Sequence, residues 1–491
     1  MLQIVQQAER HQTRTAIREG GSFYTYHQLL YASRQLASVL LHDEKDLKES
    51  RVAFMVHPGL AYVKTLWGIW QAGGIAVPLF LNAPSASLDY ILRDTEASIL
   101  VVSEQLEDSV RTICSSLNIR VVVLESLVDS MKLRLPDPEP DRAAMILYTS
   151  GTTNLPKGVV ITHHNLQAQI QTLVKAWEWS EEDHTLCVLP LHHVHGIVNV
   201  VCCSLWAGAC CEFIPSFSAE SVFRIFRQNK VNVFMAVPTI YYKLLAFYET
   251  LPVEEQTLIS GSLQQFRLMV SGSAALPVSV LEKWETISNH ILLERYGMTE
   301  IGMAISNPYR GKRKPGSIGL PLPGVEVRLC GEHNVPVYHE PGEIQVRGDT
   351  VFKMYWHKEE ATQQSFTADG WFKTGDIAEI DEEGYFKILG RNSVDIIKSG
   401  GYKISALEIE EFLRRYPNIK DCSVVGIPDE EWGELVVAFL VMESTVDTAS
   451  LDKWLRERLS TYKIPRVYKQ VDELPRNALG KVIKKELKLL F

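Results

Sequence analysis

The sequence has few cysteines, and no two of them form a Cys-x-x-Cys pair. Such pairs are typical of zinc sites and of thiol redox motifs. The eight cysteines among the 491 residues are scattered, and the densest group, Cys202, Cys203, Cys210 and Cys211, lies in an apolar stretch. This spacing favours reduced, buried thiols over a metal site.

The sequence also lacks an apolar run long enough to cross a membrane. The nearest candidate, residues 197–211, is too short and is interrupted by Asn199 and Ser204, so we expect a buried segment. Residues 1–14 have no long apolar core and no small-residue cleavage site, and they include Glu9, which is unlike a transit peptide. We therefore expect no membrane span and a cytoplasmic location.

Positive charge is in deficit, because 50 Lys and Arg face 59 Asp and Glu, for a net charge of −9. This balance argues against nucleic acid as the main partner. Apolar and charged contents of 46% and 22% are typical of a globular protein. A chain of this length is too long for one hydrophobic core, so we expect two or more domains. The oligomeric state stays open between a monomer and a homodimer.

The most distinctive stretch is residues 146–158, ILYTSGTTNLPKG. Its first three residues are typical of the end of a buried strand. Glycines then let the backbone approach an anion closely, the hydroxyls add donors, and Lys157 adds a point charge. The stretch differs from a Walker loop, since Gly158 and not Ser or Thr follows the lysine. It predicts a loop that holds a polyphosphate; taken alone, it leaves a surface turn as the alternative.

Helical and strand patterns alternate through the first part of the chain. Residues 26–41 and 60–71 have helical spacing, whereas residues 52–56 and 99–102 are short apolar runs. Such alternation predicts α/β layers with parallel strands.

Three predicted strands end in clusters of polar residues and glycine. Residues 186–191 lead into HHVHG, residues 267–270 into SGSAA, and residues 291–293 into ERYGMTE. In open α/β sheets, ligands bind beyond the carboxyl ends of the strands. We therefore expect these clusters to converge on one cleft.

The pattern of predicted strands, turns and helices changes twice towards the C-terminus. From about Gly316, short strands alternate with Gly and Pro turns, which indicates a β-rich subdomain. From about Arg391, the pattern indicates a small α+β unit. The elements expected in that unit are a helix at 406–416, a strand at 422–427 and a helix at 451–459.

These patterns predict an α/β protein of two domains. A large N-terminal domain, residues 1–390, would contain layered α/β sheets and the β-rich subdomain at about 316–390. A small α+β domain would form from residues 391–491.

Eight motifs, in order, resemble those of the adenylate-forming superfamily, which includes acyl-CoA synthetases, firefly-type luciferases and the adenylation domains of peptide synthetases. Within that superfamily, the LPLHHVHG, LERYGMTEIGM and SVDIIKSGGYKISALE phrases look most like those of malonyl-CoA synthetases. The motifs are YTSGTTNLPKG (148–158), LPLHHVHG (189–196), SGSAALP (271–277), ERYGMTE (294–300), GWFKTGD (370–376), GR (390–391), SGGYKIS (399–405) and PRNALGK (475–481).

The resemblance implies a reaction in two halves, with ATP, Mg²⁺ and coenzyme A. A carboxylate, here expected to be malonate, attacks the α-phosphate of ATP and gives an acyl-adenylate and pyrophosphate. The thiol of coenzyme A then displaces AMP. The protein positions the reactants and neutralises the charge that develops on the phosphoryl oxygens.

The resemblance also implies site residues. Lys481, His193, Lys157 and Glu300 would be catalytic, and Glu300 and Thr152 would hold Mg²⁺. Asp376 and Arg391 would bind the ribose, and Tyr296 would offer the adenine a stacking face. The full set of nucleotide and coenzyme positions is Thr149, Ser150, Gly151, Thr152, Thr153, Lys157, Gly272, Ser273, Ala274, Ala275, Glu294, Tyr296, Gly297, Met298, Thr299, Asp376, Arg391, Lys398, Gly400 and Gly401.

In the family, the small C-terminal domain swings between a pose that inserts the catalytic lysine and one that opens a path for coenzyme A. The resemblance therefore implies a hinge just after Arg391. Six residues separate Arg391 from Lys398 where we expect five, so the hinge residue stays open, with Asp395 as a candidate. We expect the three other lysines near the C-terminus, Lys484, Lys485 and Lys488, to be solvated.

Arg295 indicates the class of acid. A permanent cation is costly beside a fatty or aromatic tail but suits a second carboxylate, which it can hold bidentately. Malonate is therefore expected first and methylmalonate second. The alternative is that Arg295 pairs with Glu294 or Glu300. The expected acid-binding residues are Arg295, His193, His195, Ser273 and Met303.

Other functions remain open at this stage. A synthetase for a medium-chain, aromatic or bulkier dicarboxylic acid would share these motifs. A silent adenylate-binding protein would keep the fold but is disfavoured by the joint presence of Lys481, Glu300, Lys157 and Asp376. A peptide-synthetase module lacks support because no carrier domain follows, and a luciferase-like oxygenase fits poorly with Arg295.

Overall fold

The computed structural model describes residues 2–127, 134–149, 156–444, 446–476 and 481–491. These residues form four β-sheets with helices packed between and around them. The α-helices are Gln3–Glu9, Tyr26–Leu41, Leu60–Gln71, Ser85–Asp94, Glu107–Leu117, His163–Ala176, Cys203–Trp206, Ala219–Phe226, Pro238–Tyr248, Val253–Leu263, Val278–Ser288, Glu359–Ser365, Ala406–Leu413, Thr448–Arg456 and Lys484–Leu489.

The first sheet has seven strands in the described residues. Five of the strands are parallel, and Lys157–Thr162 runs antiparallel to both of its neighbours, Ala143–Thr149 and Met354–Tyr355. In spatial order they are Met354–Tyr355, Lys157–Thr162, Ala143–Thr149, Ile75–Pro78, Arg51–Met55, Ile99–Val102 and Arg120–Val123.

The second sheet has nine strands in the same described ranges. Its central strands are parallel and largely buried, which explains why runs such as Val233–Ala236 are short and apolar. In spatial order the strands are Leu320–Pro321, Gly302–Ser306, Leu293–Met298, Leu268–Ser271, Val233–Ala236, His184–Cys187, Cys210–Phe213, Thr15–Glu19 and Ser22–Thr25.

Two smaller antiparallel sheets follow. The β-rich part predicted from Gly316 contains the strands Val325–Cys330, Gly342–Gly348, Phe372–Ile380 and Phe386–Arg391. The last sheet contains Ile396–Ser399, Tyr402–Ser405, Ile419–Asp429, Gly433–Met442 and the parallel strand Val467–Gln470.

The hydrophobic core divides between residues 386 and 397. Two clusters of buried side chains draw their members from residues 4–386, and two others from residues 397–487. The predicted fold class is confirmed: layered α/β sheets and a β-rich part precede a small α+β part. None of the helices in the described ranges is both long and apolar enough to cross a membrane.

Several predicted elements match closely, and others were wrong. The helices Tyr26–Leu41 and Leu60–Gln71 and the strand Ile99–Val102 have the predicted bounds. The strand expected at 186–191 instead ends at Cys187, and His195–Cys202 forms a π-helix. The strand expected at 291–293 runs over Leu293–Met298, so most of the ERYGMTE motif lies within a strand.

The stretch expected to be a phosphate loop is partly a β-hairpin. Thr149 ends one strand and Lys157 begins the next, and the two residues face each other in register. Lys157 and Gly158 therefore belong to a strand and not to a loop. Residues Ser150, Gly151, Thr152 and Thr153 lie outside the described residues.

Candidate active site

The strand Leu268–Ser271 ends where its neighbour Leu293–Met298 passes close by. Gly272 follows the first strand, and a Cβ there would lie 2.5 Å from Cζ of Arg295. No L side chain fits such a space without displacing the guanidinium. Glycine at 272 thus lets the backbone lie against the Arg295 side chain.

Arg295 is a buried cation without a polar partner at two of its nitrogens. Its exposed fraction is 3%, and Nε and Nη2 have no hydrogen-bond partner in the described parts of the chain. Burial lowers the pKa of Arg295 to about 9, so it is still charged at neutral pH. The alternative pairing with Glu294 or Glu300 is absent among the described ion pairs; those carboxylates accept from Gly316 and Tyr355.

His195 links the π-helix to this region. Its Nδ1 lies 3.1 Å from Oγ of Ser273, a residue held in the left-handed conformation at φ +71°. Its Nε2 is buried and has no partner in the described residues. Burial and then the charge of Arg295 hold the pKa of His195 well below its usual value. The structure thus brings together three predicted acid-binding residues, Arg295, His195 and Ser273.

His193 lies beside this group but has a different setting. Its ring centroid is 4.1 Å from that of His192, which in turn packs 4.8 Å from Phe80. Burial lowers the pKa of His193 to about 4 and that of His192 to about 3. Both rings are therefore neutral at neutral pH.

Met303 and Gly297 lie on the two paired strands of the hairpin that carries Arg295. The two residues are paired in register, and a Cβ on Gly297 would lie 2.5 Å from Cε of Met303. Met303 is 1% exposed, and its backbone N–H donates to Oε1 of Gln169. Met298 ends the strand, and Thr299 begins the turn that leads to Glu300.

Glu300 is a buried carboxylate that receives a hydrogen bond from Tyr355, whose hydroxyl lies 2.9 Å from Oε1. Burial raises the pKa of Glu300, although Tyr355 opposes the shift. The Tyr355 ring also faces Lys157, with Nζ 5.0 Å from its centroid. Sequence reasoning missed Tyr355. Its strand pairs with residues 159–160, next to Lys157, and this pairing is visible only in the structure.

Tyr296, Asp376 and Arg391 are connected through the carboxylate of Asp376. The Tyr296 hydroxyl donates to Oδ2 at 2.7 Å, and Arg391 Nε donates to Oδ1 at 2.9 Å. Arg391 also donates to the carbonyl of Thr374. The motifs ERYGMTE, GWFKTGD and GR therefore meet at one carboxylate, although the first lies far from the other two in sequence.

A cleft of about 700 Å³ opens beside Arg391. Thr374, Gly375, Arg391 and Lys398 are among the residues that line it. Lys398 is exposed and lies in the strand that precedes the turn Gly400–Gly401, both of which have positive φ. Ser273, Ala274 and Ala275 are also exposed, so they are accessible to a ligand.

Glu294 is the buried acid next to Arg295. Its Oε1 accepts from the N–H of Gly316 at 2.9 Å. Burial raises the pKa of Glu294 to about 8, and the negative charge of Glu411 adds to the shift. Glu294 is thus protonated at neutral pH.

The C-terminal lysines differ from the prediction in one case. Lys481 is exposed. Burial works to raise the pKa of Asp395, but Lys484, the N–H of Arg391 and, last, Lys481 outweigh it and the pKa is lowered. Lys485 is exposed, as expected, and Lys488 is half-buried. The prediction for Lys484 was wrong, because it is 7% exposed and lies 2.7 Å from Asp395. A buried ammonium is tolerated here because carboxylates surround it.

The eight cysteines carry no metal site in the described parts of the chain. Cys202, Cys203 and Cys211 are buried, and Cys210 is half-buried. No group of three or more His, Cys, Asp or Glu in these ranges is placed to hold a metal ion.

The sequence and fold match known proteins over almost their whole length. The family described as AMP-binding enzyme matches residues 4–356, and the AMP-binding enzyme C-terminal domain matches residues 408–481. A malonate–CoA ligase of Mus musculus, the mitochondrial ACSF3, is 43% identical over 513 residues, which cover 96% of this chain and 88% of that protein. A malonate–CoA ligase of Arabidopsis thaliana is 39% identical, covering 97% and 86%.

A solved structure gives the same result for the fold. The ATP-bound MatB from Rhodopseudomonas palustris has a TM-score of 0.91 at 31% identity, and the match covers 100% of this chain and 98% of that one. These matches confirm the resemblance to adenylate-forming enzymes. The chain belongs to the AMP-binding enzyme family.

Proposed function

We propose that this protein is an AMP-forming acid–thiol ligase that joins malonate to coenzyme A. The observation that carries the choice of acid is Arg295, a buried guanidinium whose Nε and Nη2 have no partner among the described residues. Leaving a buried charge uncompensated is expensive. A second carboxylate on the substrate would relieve that cost, whereas a hydrocarbon tail would increase it.

The groups around Arg295 suit a small dicarboxylate. Arg295 can bind one carboxylate bidentately. The neutral His195 contacts Ser273, and its Nε2 has no partner among the described residues; it can donate a hydrogen bond if Nδ1 accepts from the serine. His193 is proposed to contact the carboxylate that reacts, again as a neutral ring. Met303 closes the floor of the pocket and limits the size of the acid.

The first half-reaction forms a malonyl-adenylate. A carboxylate oxygen attacks the α-phosphorus of ATP, a new P–O bond forms, and the bond to pyrophosphate breaks. Lys157 and Thr149, on facing strands, are proposed to contact the β- and γ-phosphates together with residues 150–153. The carboxylate of Asp376 would bind the ribose, with Arg391 and Tyr296 fixing its orientation.

Glu300 fits the role of a magnesium ligand. Its carboxylate is buried, and burial raises its pKa, so a cation at this place would relieve an unfavourable negative charge. Mg²⁺ favours one or two protein oxygens together with phosphate oxygens. When bound, the ion would neutralise charge on the polyphosphate. Thr152, the second ligand in the proposal, lies outside the described residues.

The second half-reaction forms the thioester. The sulfur of coenzyme A attacks the acyl carbon, the bond between that carbon and the AMP oxygen breaks, and the thiol proton is released. We propose that residues 391–491 form a mobile domain, which the separate hydrophobic cores support. Its movement would exchange Lys481 for the Gly400–Gly401 surface beside the bound adenylate.

The names of the relatives support the same substrate, since the proteins of Mus musculus and Arabidopsis thaliana are both malonate–CoA ligases. We propose a cytoplasmic location for this protein, in contrast to the Mus musculus relative, which is mitochondrial. Fractionation of cells that produce a C-terminally tagged native protein tests the location. Recovery of the tag with mitochondria would overturn it.

The decisive experiment is a substrate panel. Thioester formation is measured with ATP, Mg²⁺ and coenzyme A for malonate, methylmalonate, succinate, acetate, octanoate and coumarate. We expect malonate to dominate, and Arg295→Met to lower its kcat/KM by at least about 100-fold, since a buried charge-assisted pair is lost. Arg310→Met, at an exposed arginine paired with Glu178, is the matched control and should leave activity unchanged.

Each other outcome has a clear meaning. Preference for a monocarboxylate, or an Arg295→Met variant with full malonate activity, would overturn the malonate proposal and leave the ligase chemistry. Activation of no acid at all would overturn the ligase proposal in favour of a silent adenylate-binding protein.

A further inference from the structure

Lys484 is a buried cation close to Lys481. It begins the helix Lys484–Leu489, and its Nζ lies 2.7 Å from Oδ1 of Asp395 and 2.8 Å from Oε1 of Glu410. Burial works to lower the pKa of Lys484, but Glu410 and Asp395 outweigh it and the pKa is raised. Lys484 therefore stays charged and fixed between two carboxylates.

The ion pairs continue from Glu410 through Arg414 and Asp421 to Arg476. Nη2 of Arg414 lies 3.2 Å from Oε2 of Glu410, and its Nε lies 4.0 Å from Oδ1 of Asp421. Asp421 in turn pairs with Arg476. Three acids and three bases alternate, in the order Asp395, Lys484, Glu410, Arg414, Asp421 and Arg476.

The backbone before Lys481 also pairs with the backbone that follows it. Arg476 and Val482 form a β-bridge, and the N–H of Ile483 donates to the carbonyl of Pro475 at 2.8 Å. In the sequence, Lys481 lies between Arg476 and Lys484. The part of the chain that carries Lys481 is therefore held on both sides by one set of alternating charges.

This set of charges also reaches the proposed ribose site. The second oxygen of Asp395, Oδ2, accepts from the backbone N–H of Arg391 at 3.0 Å. Arg391 is the residue that pairs with Asp376. A displacement of Lys484 would therefore move both the segment that bears Lys481 and the start of the C-terminal unit.

We propose that the ion pairs from Asp395 through Lys484 to Arg476 form a clamp that positions Lys481 for the adenylation step. Lys484 and Arg476 are positioning residues and do not touch the substrate. The inference rests on the proposed function, because it takes Lys481 to act in the first half-reaction. It follows that loss of the clamp impairs adenylation and spares thioester formation.

Separate assays of the two half-reactions test the clamp in the full-length protein. Adenylation is followed as malonate-dependent exchange of pyrophosphate into ATP, and thiolation as malonyl-CoA formation from presynthesised malonyl-adenylate. We expect Lys484→Met to slow the exchange by about 10- to 100-fold, since small displacements of a catalytic group have effects of this size. Thiolation should change by less than about twofold.

Two further variants guard against a folding defect. Arg476→Gln acts at the more exposed end, where the side chain is 36% exposed, and should slow the exchange in the same way but less. Lys488→Met, in the same helix as Lys484, forms no ion pair with a described residue and should leave both half-reactions unchanged. Equal loss in both half-reactions, or an unchanged exchange rate, would overturn the clamp.

Hydrogen exchange of residues 474–490, followed by mass spectrometry, gives a readout that does not depend on activity. Lys484→Met should speed exchange at the amide of Ile483, and unchanged protection would overturn the clamp. If the wild-type protein activates no acid, the proposed function fails, and this measurement still judges the clamp. If Lys481→Ala keeps the wild-type exchange of pyrophosphate, the clamp fails while the ligase function stands.

Discussion

Tyr355 stands between Lys157 and Glu300, with its ring facing the ammonium and its hydroxyl donating to the carboxylate. The centroid-to-Nζ distance is 5.0 Å, and the hydrogen bond is 2.9 Å long. One side chain therefore fixes two groups of opposite charge that we assign to the polyphosphate and its metal.

Tyr355→Phe keeps the ring and removes only the hydroxyl. A hydrogen bond to a charged group contributes about 1.5–3 kcal/mol, so we expect adenylation to slow by at least about tenfold. The apparent KM for ATP and Mg²⁺ should rise. Steady-state kinetics at varied Mg²⁺ measure both effects. Tyr385→Phe, at a tyrosine that donates to the carbonyl of Lys312, is the control, and equal effects of the two changes would contradict this role.

The Tyr296–Asp376–Arg391 group is expected to behave as a unit. Tyr296→Phe removes one hydrogen bond to Asp376, and Arg391→Gln removes the ion pair on its other oxygen. Because both partners orient one carboxylate, the two losses in kcat/KM for ATP should be non-additive, with a coupling of about 0.5–3 kcal/mol. A double-mutant cycle measures it. Strict additivity would show that Asp376 is positioned by other contacts.

His163 should make stability depend on pH. Burial lowers its pKa from 6.5 to about 4, with Arg142 adding to the shift, while its ring packs edge-on to Trp70. Between pH 6.5 and 4 the unfolded chain binds a proton that the folded chain does not, so the free energy of unfolding falls as pH falls.

Thermal melts from pH 7 to 5 test this expectation. The wild-type Tm should fall more steeply than that of His163→Asn. The exposed neighbour His164 provides the control, and His164→Asn should keep the wild-type slope. Equal slopes in His163→Asn and wild type would assign the pH dependence to other groups.

Glu294 should act in the opposite sense. Its pKa is raised from 4.5 to about 8, first by burial, so the folded state holds a proton that the unfolded state loses. The corresponding stability is full below pH 4.5 and is lost as pH rises through about 8.

Glu294→Gln mimics the protonated form and can still accept from Gly316. We therefore expect near wild-type activity at pH 7 and a smaller fall in Tm between pH 5 and 8. Glu282→Gln, at an exposed residue, should keep the wild-type slope. A Glu294→Gln variant that is inactive at pH 7 would show that this carboxylate works in its charged form.

The sequence alone predicted much of the fold and the identity of the family. Short, uniformly apolar runs, such as residues 99–102, marked buried parallel strands, because both faces of such strands are covered. Periodic helices such as Leu60–Gln71 have the predicted bounds. Motif order carried the family assignment, which depends on residue types and not on coordinates.

The exact ends of strands near the site were harder to predict. The strand Leu293–Met298 continues through polar and glycine residues because it pairs with Gly302–Ser306 across a tight hairpin. Lys157 lies in a strand because its partner Thr149 is opposite it. Pairing between strands is a tertiary effect, and it overrode the local preference for a loop.

The amino-acid sequence by itself determined the layered α/β fold, the family and the residue types that the chemistry needs. Only the tertiary structure decided which charges are paired. It left Nε and Nη2 of the buried Arg295 without a described partner, placed Tyr355 between Lys157 and Glu300, and buried Lys484 between two carboxylates. The reason is physical: the energy of a charge depends on its distance from other charges and on its exclusion from water, and neither is written in a local stretch of sequence.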